Sequence, residues 1–354
     1  MHGYQASPNA ERLVRLAGAD ALLAKLDSNE GCYGPLPGVV EQLERLLPLL
    51  NRYPDRALEL VERLAGCHEI EPDRILLGNG ADAIVGHICT AYLEPGDEAV
   101  MGWPSFVTYR SDTLLRGATP VLVPVTNGAY DLVTMLERIG PRTKLAFVCN
   151  PNNPTGGMVT REELSAFVHD VPDHVLVVID EAYHEYVDHE DYPDAIVEHV
   201  AARPNVAVLR TFSKVFGLAG LRIGYMVASP AVVGITSRCR HWFDVTDLAH
   251  VAAAESLGFP DAIAERRDRM IAARTTLIEM LRNAGLRPQP SYGNFVYAEV
   301  GDGPASAAKL ASKGVLVRSL EAFGAPGAIR VTVGSDAEMH ALESALAEIT
   351  FDLA

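Results

Sequence analysis

The chain has 354 residues, 48% of them hydrophobic and 21% charged, which supplies apolar material for a large core and excludes a disordered polypeptide. Forty-six acidic against 30 basic residues give a formal charge of −16, so the surface as a whole repels the phosphate backbone of a nucleic acid. No apolar run approaches the roughly 20 residues of a membrane span. The start MHGYQASPNAERL lacks the pattern of a signal peptide. Five scattered cysteines without a C-x-x-C predict reduced thiols, no metal site and a cytoplasmic protein.

In chain order, residues 38–50 and 56–67 read as helices, split by the turn Tyr53-Pro54-Asp55. A short strand at 74–77 leads through Gly78-Asn79-Gly80 into a helix ending near Tyr92. Runs rich in β-branched and apolar residues follow at 98–102, 121–125, 145–149, 175–179, 206–209 and 223–227, with helical stretches such as 131–139 and 161–168 between them. Such alternation predicts a mostly parallel sheet covered on both faces. The run 175–179 is apolar without alternation, as a strand buried on both sides should be. From Asp247 the texture changes: one long helical stretch to Asn283, short strands at 294–299, 315–318 and 328–333, and a closing helix from Asp336. The expectation is an α/β protein with a large three-layer α/β/α domain at 38–246. An arm at 1–37 precedes it, and a smaller α+β C-terminal domain occupies 247–354.

Four motifs carry chemistry. Thr211-Phe212-Ser213-Lys214-Val215-Phe216-Gly217 sets one of only five lysines in a nearly uncharged stretch between apolar strands. Alone, Lys214 would read as a surface lysine. In this context a partly desolvated amine has a lowered pKa and suits Schiff-base formation, and Ser213 with Arg222 can hold a phosphate. The run Val177-Val178-Ile179-Asp180-Glu181-Ala182-Tyr183 puts Asp180 at the carboxyl end of a buried strand, where α/β sheets bind ligands. A carboxylate there calls for a cation such as a protonated pyridine nitrogen, and Tyr183 could donate to a phenolate oxygen. An acid capping the next helix would read the same.

The loop Asn150-Pro151-Asn152-Asn153-Pro154-Thr155-Gly156 is either a rigid platform projecting Asn153 or an ordinary Asn-Pro turn. Gly80, Ala81 and Asp82 open a helix, where backbone N–H groups make an anion site. The same stretch fits G-x-G-x-x-A, so a nicotinamide-dependent oxidoreductase is a second reading. It fits poorly, because Glu94, Asp97 and Glu98 precede or open the next strand instead of following it. A non-catalytic fold relative is a third, disfavoured because lysine, acid, tyrosine and asparagine occur together.

As an ordered set these motifs resemble the fold-type-I pyridoxal-phosphate aminotransferases, most closely the histidinol-phosphate aminotransferase group and its aromatic aminotransferase relatives, from about Tyr4 to the end. The resemblance implies pyridoxal 5'-phosphate bound covalently at Lys214, with Asp180 on the pyridine nitrogen and Asn153 and Tyr183 on the ring oxygen. It implies Phe106 stacked on the ring, and Gly80, Ala81, Asp82, Ser213 and Arg222 around the phosphate. It also implies a homodimer with composite active sites, in which Tyr53 reaches the neighbouring subunit's cofactor phosphate.

The substrates implied are a small-molecule amine and a keto acid. Arg330 matches the arginine that grips the substrate α-carboxylate, and Arg318 and Tyr4 match positions that hold a substrate phosphate. Histidinol phosphate with 2-oxoglutarate is the preferred pair, and an aromatic amino acid the alternative. Arg318 ends an apolar strand, where a salt bridge to one of the chain's own acids would also satisfy it. Two segments depart from the family. Asn29-Glu30-Gly31-Cys32-Tyr33 replaces Asn-Glu-Asn-Pro-Tyr, and Trp242-Phe243-Asp244-Val245 replaces Pro-aromatic-Asn-Val. Both lie near the substrate mouth in the family, so Trp242 is a candidate substrate contact as well as a core or interface aromatic.

Overall fold

The structure is a computed structural model that describes residues 9–351. Its larger sheet is built from β2 (Ile75–Gly78), β3 (Glu98–Trp103), β4 (Thr119–Pro124), β5 (Thr143–Cys149), β6 (Leu176–Asp180), β7 (Val206–Thr211) and β8 (Gly224–Ala228), ordered β2-β8-β7-β6-β5-β3-β4. β4, β3, β5, β6 and β7 run parallel, and β8 is antiparallel to both of its neighbours. The three middle strands β5, β6 and β7 are buried along nearly their whole length, which is what an uninterrupted apolar run demands when helices cover both faces. The fold is therefore α/β, as the strand–helix alternation implied.

The second sheet has β1 (Ala24–Leu26), β9 (Arg287–Pro288), β10 (Phe295–Glu299), β11 (Val315–Ser319) and β12 (Ala328–Thr332), in the order β1-β11-β12-β10-β9. Only β1 and β11 are parallel in it. The arm segment thus crosses the molecule to become an edge strand of the C-terminal sheet. One continuous apolar core joins the two sheets. The helical stretch after Asp247 is two helices, Asp247–Ser256 and Pro260–Asn283. They break at Gly258-Phe259, and Pro260 starts the second because its missing N–H costs nothing at the first helical position.

Register brings the motifs together. Cys149 pairs with Asp180 and Asp180 with Leu209, so β5, β6 and β7 end side by side and release the loops carrying Asn153, Tyr183 and Lys214 at one sheet edge.

Candidate active site

A cavity of about 310 Å³ lies at this edge, between the large sheet and β12. Asp180 is buried at its floor. Tyr109 Oη donates to Asp180 Oδ2 at 2.5 Å and the Ala182 N–H donates to Oδ1 at 3.1 Å. Burial pushes the Asp180 pKa up, against the pull of these two donors. No residue among those described forms an ion pair with it, so this carboxylate faces the cavity ready for a cation.

Lys214 is half-buried in the middle. Its Nζ donates to the Asn29 carbonyl at 2.8 Å and stands 5.3 Å from the centre of the Tyr183 ring. Desolvation, reinforced by the Arg330 charge, lowers its pKa to about 7. Asn29 also donates from Nδ2 to Tyr183 Oη at 3.0 Å, and burial raises the Tyr183 pKa. Gly31 passes so close to Lys214 that a Cβ would sit 2.7 Å from its carbonyl oxygen, which gives the departure at this position a steric reason.

The third part of the cavity suits an anion. The helix Ala81–Tyr92 points its first N–H groups inward beside Ser213, Thr211 and Arg222. Gly80 has φ +81°, and a side chain there would run into the Arg222 guanidinium and the Asp82 carboxylate. Arg222 Nη2 pairs with Asp82 Oδ1 at 2.7 Å. Arg222 and Asn29 are non-glycine residues in the left-handed region, at φ 54° and 52°, a strain that proteins keep where a site needs it.

At the substrate end Arg330 is buried. It donates to Asn153 Oδ1 and, at 2.9 Å, to the Asp27 carbonyl, with its guanidinium 5.6 Å from the Phe323 ring centre. Arg318 is its cross-strand partner but does not line the cavity. Its Nη2 pairs with Asp27 Oδ2 at 3.1 Å, the salt bridge that the sequence left open.

Of the expected site residues, Ala81, Asp82, Phe106, Asn153, Asp180, Tyr183, Ser213, Lys214, Arg222 and Arg330 line this one cavity, and Gly80 underlies its anion end. Tyr53 and Trp242 do not: they are 76% and 91% exposed, and Tyr53 stacks on Phe243 at 4.4 Å. Asp244 docks on the Gly78–Gly80 turn, accepting from the Asn79 N–H at 3.3 Å. Tyr4 lies outside the described residues. Tyr109, Asn29 and Phe323 were not singled out. Tyr109 and Phe323 carry no motif. Asn29 stands in the arm motif, whose contact with Lys214 is 185 residues distant in sequence.

A carboxylate seeking a cation, an amine of lowered pKa and a cradle for an anion match, in order, the ring nitrogen, aldehyde and phosphate of pyridoxal 5'-phosphate. The family model for aminotransferase class I and II matches residues 23–346. An aromatic amino acid aminotransferase of Mycolicibacterium vanbaalenii is 42% identical over 90% of this chain and 90% of its own. The histidinol-phosphate aminotransferase 2 of Pseudomonas fluorescens is 41% identical over 93% of this chain and 89% of its own. Among solved structures, the histidinol-phosphate aminotransferase of Sinorhizobium meliloti in complex with pyridoxal-5'-phosphate superimposes with a TM-score of 0.88 at 28% identity, covering 97% of this chain and 95% of that one. These findings replace the nicotinamide alternative: the chain belongs to the class I and II aminotransferases, enzymes that use pyridoxal 5'-phosphate to move an amino group between an amine and a keto acid.

Proposed function

We propose that the enzyme is a histidinol-phosphate aminotransferase that passes the amino group of this phosphorylated amine to 2-oxoglutarate. One observation carries the reading. Arg330 lines the cavity with Arg318 directly opposite it on the neighbouring strand, which adds a second positive charge near the substrate's anionic group, as a phosphate monoester dianion calls for. The second reading, an aromatic amino-acid aminotransferase, is favoured by the Asp27–Arg318 ion pair, which offsets part of that charge while Asp27 also pairs with Lys25 at 3.6 Å. The test compares kcat/KM of the holoenzyme for histidinol phosphate and for phenylalanine, each with 2-oxoglutarate. A preference for phenylalanine moves the assignment to the second reading, and turnover of neither sinks both.

The cofactor, when bound, supplies a carbonyl that captures the substrate amine and a ring that takes up electrons from the α-carbon. Asp180, whose carboxylate accepts from Tyr109 Oη and the Ala182 N–H, would hold the ring nitrogen as a cation. Tyr183 and Asn153 would orient the ring oxygen, and Phe106 one face of the ring. Arg222, Ser213 and the helix start at Ala81 would anchor the phosphate. Lys214 Nζ would carry the proton to and from the substrate α-carbon. A pKa near 7 lets the amine accept that proton and its ammonium return it without a large mismatch. Arg330 would bind the substrate's anionic group.

The same reading has a cytoplasmic homodimer with composite sites and no nucleic-acid or membrane partner. No helix among the described residues is long and apolar enough to cross a membrane. An exposed apolar face supports the dimer: Leu47, Leu49, Leu50, Tyr53, Trp242 and Phe243 are all solvent-exposed in the single chain. In this reading residues 38–246 carry the cofactor. The C-terminal unit from 247 and the arm close over the substrate, a grouping that the pairing of β1 with β11 supports.

A further inference from the structure

We propose that Asn29 is a positioning residue that turns the Tyr183 hydroxyl toward the cofactor's ring oxygen: its side-chain amide fills a lone pair of that hydroxyl, and Thr332 on β12 fixes which end of the amide does so. The inference rests on the placement of Tyr183 at the ring oxygen given above and deepens it. A phenol has one proton to give and two lone pairs to fill. Tyr183 is buried and lines the cavity, and Asn29 Nδ2 donates to its oxygen at 3.0 Å. Among the described residues no acceptor takes the Tyr183 proton, so that proton serves the group that fills the cavity.

Thr332 sets the direction of the amide. Its hydroxyl accepts from the Asn29 N–H at 2.9 Å and donates to Asn29 Oδ1 at 3.1 Å, so the amide presents its NH2 end to Tyr183. Turned the other way, Oδ1 would take the Tyr183 proton and the ring oxygen would lose it. The backbone of Asn29 is fixed as firmly. It is buried at φ 52°, and its carbonyl accepts from Lys214 Nζ at 2.8 Å and from Asn294 Nδ2 at 3.2 Å. Asparagine visits this left-handed region more readily than most side chains, which suits it to the position. Thr332 and Arg330 share β12, so one strand both offers the substrate its guanidinium and aims the contact to the cofactor.

The test follows the absorbance of the holoenzyme against pH, without substrate. A donor at the ring oxygen draws negative charge from it, so the proton shared between that oxygen and the Lys214 nitrogen leaves at lower pH. The titration is run on wild type, Asn29→Gly, Tyr183→Phe, their double variant, Thr332→Val and Thr332→Ser. Asn29→Gly tolerates the left-handed backbone, keeps the carbonyl on Lys214 and loses the amide. Its midpoint rises by about half a pH unit, a threefold change in the proton equilibrium and the size of one net hydrogen bond. Tyr183→Phe moves the midpoint further in the same direction. Once Tyr183 is phenylalanine, loss of the Asn29 amide adds nothing. Thr332→Val releases the amide and raises the midpoint as Asn29→Gly does, while Thr332→Ser, which keeps the hydroxyl, restores the wild-type value.

A midpoint moved by Tyr183→Phe but by neither Asn29→Gly nor Thr332→Val overturns the inference and leaves Tyr183 at the ring oxygen. An Asn29→Gly shift that persists in full beside Tyr183→Phe also overturns it, because the amide would then act by another route. If Asn29→Gly does not fold, the Thr332→Val and Thr332→Ser pair gives the same reading. A midpoint that Tyr183→Phe leaves unmoved removes Tyr183 from the ring oxygen, and the inference falls with that placement.

Discussion

Replacing Tyr109 by phenylalanine deletes one oxygen and leaves the ring in place, stacked on Phe147 at 4.8 Å and edge-on to Phe106 at 5.5 Å. The oxygen lost is the one that donates to Asp180 at 2.5 Å in a fully buried setting. A hydrogen bond to a charged group is worth about 1.5–3 kcal/mol, and its loss raises the Asp180 pKa. The sign follows from the balance of causes. Burial holds this carboxyl above the ordinary carboxylate range and Tyr109 opposes burial, so without Tyr109 the value rises further.

A protonated Asp180 cannot hold a cationic ring nitrogen, so activity is lost from the acid side. The acidic limb of kcat/KM therefore moves to higher pH in Tyr109→Phe, and the gap to wild type narrows as the pH rises. The assay is kcat/KM from pH 5 to pH 9 for both proteins, with circular dichroism confirming equal folding. Superimposable profiles, or a uniform drop at every pH, would refute the reasoning, because either result means that Tyr109 does not act through the ionisation of Asp180.

The parts of the fold that sequence made legible are those whose signal is local. β5, β6 and β7 announce themselves as apolar runs because burial on both faces leaves no room for alternation. The loops after them carry Asn153, Tyr183 and Lys214 because a parallel sheet always releases its loops at one edge. The helix Val107–Leu115 escaped because VTYRSDTLL mixes β-branched and polar residues without a helical stripe; only packing on its neighbours makes it a helix. β1 has three residues, and it is a strand only because β11, nearly 300 positions later, lies beside it. The same distance hid the substrate end. Arg318 ends an apolar strand and had to meet an anion, but nothing local could tell a substrate phosphate from Asp27, which is 291 residues away. Tyr109 reaches Asp180 across 71 residues, from a helix that no periodicity marks.

Further outcomes follow from the remaining parts of the site. Burial disfavours the Lys214 ammonium, so in the apoenzyme trinitrophenylation of Lys214 reaches half its maximal rate near pH 7, where an ordinary lysine has on the order of a thousandfold less free amine. Labelling that falls first on Lys25, or a midpoint above pH 9, rejects this. Arg222→Ala removes the guanidinium at the anion end and weakens cofactor binding about tenfold to a hundredfold by equilibrium dialysis, and an unchanged affinity would place the phosphate elsewhere. The assembly gives the sharpest contrast. Tyr53 stacks on Phe243 and both are exposed outside the cavity, so if Tyr53 serves a cofactor it serves the partner's. A Tyr53→Ala subunit keeps Lys214, and a Lys214→Ala subunit keeps Tyr53. Random mixing makes about half the dimers hybrid, each with one intact site of two, so the mixture of two inactive parents recovers about a quarter of wild-type activity. Were Tyr53 to act within its own chain, no hybrid would contain a complete site, and the mixture would show only the sum of its parents.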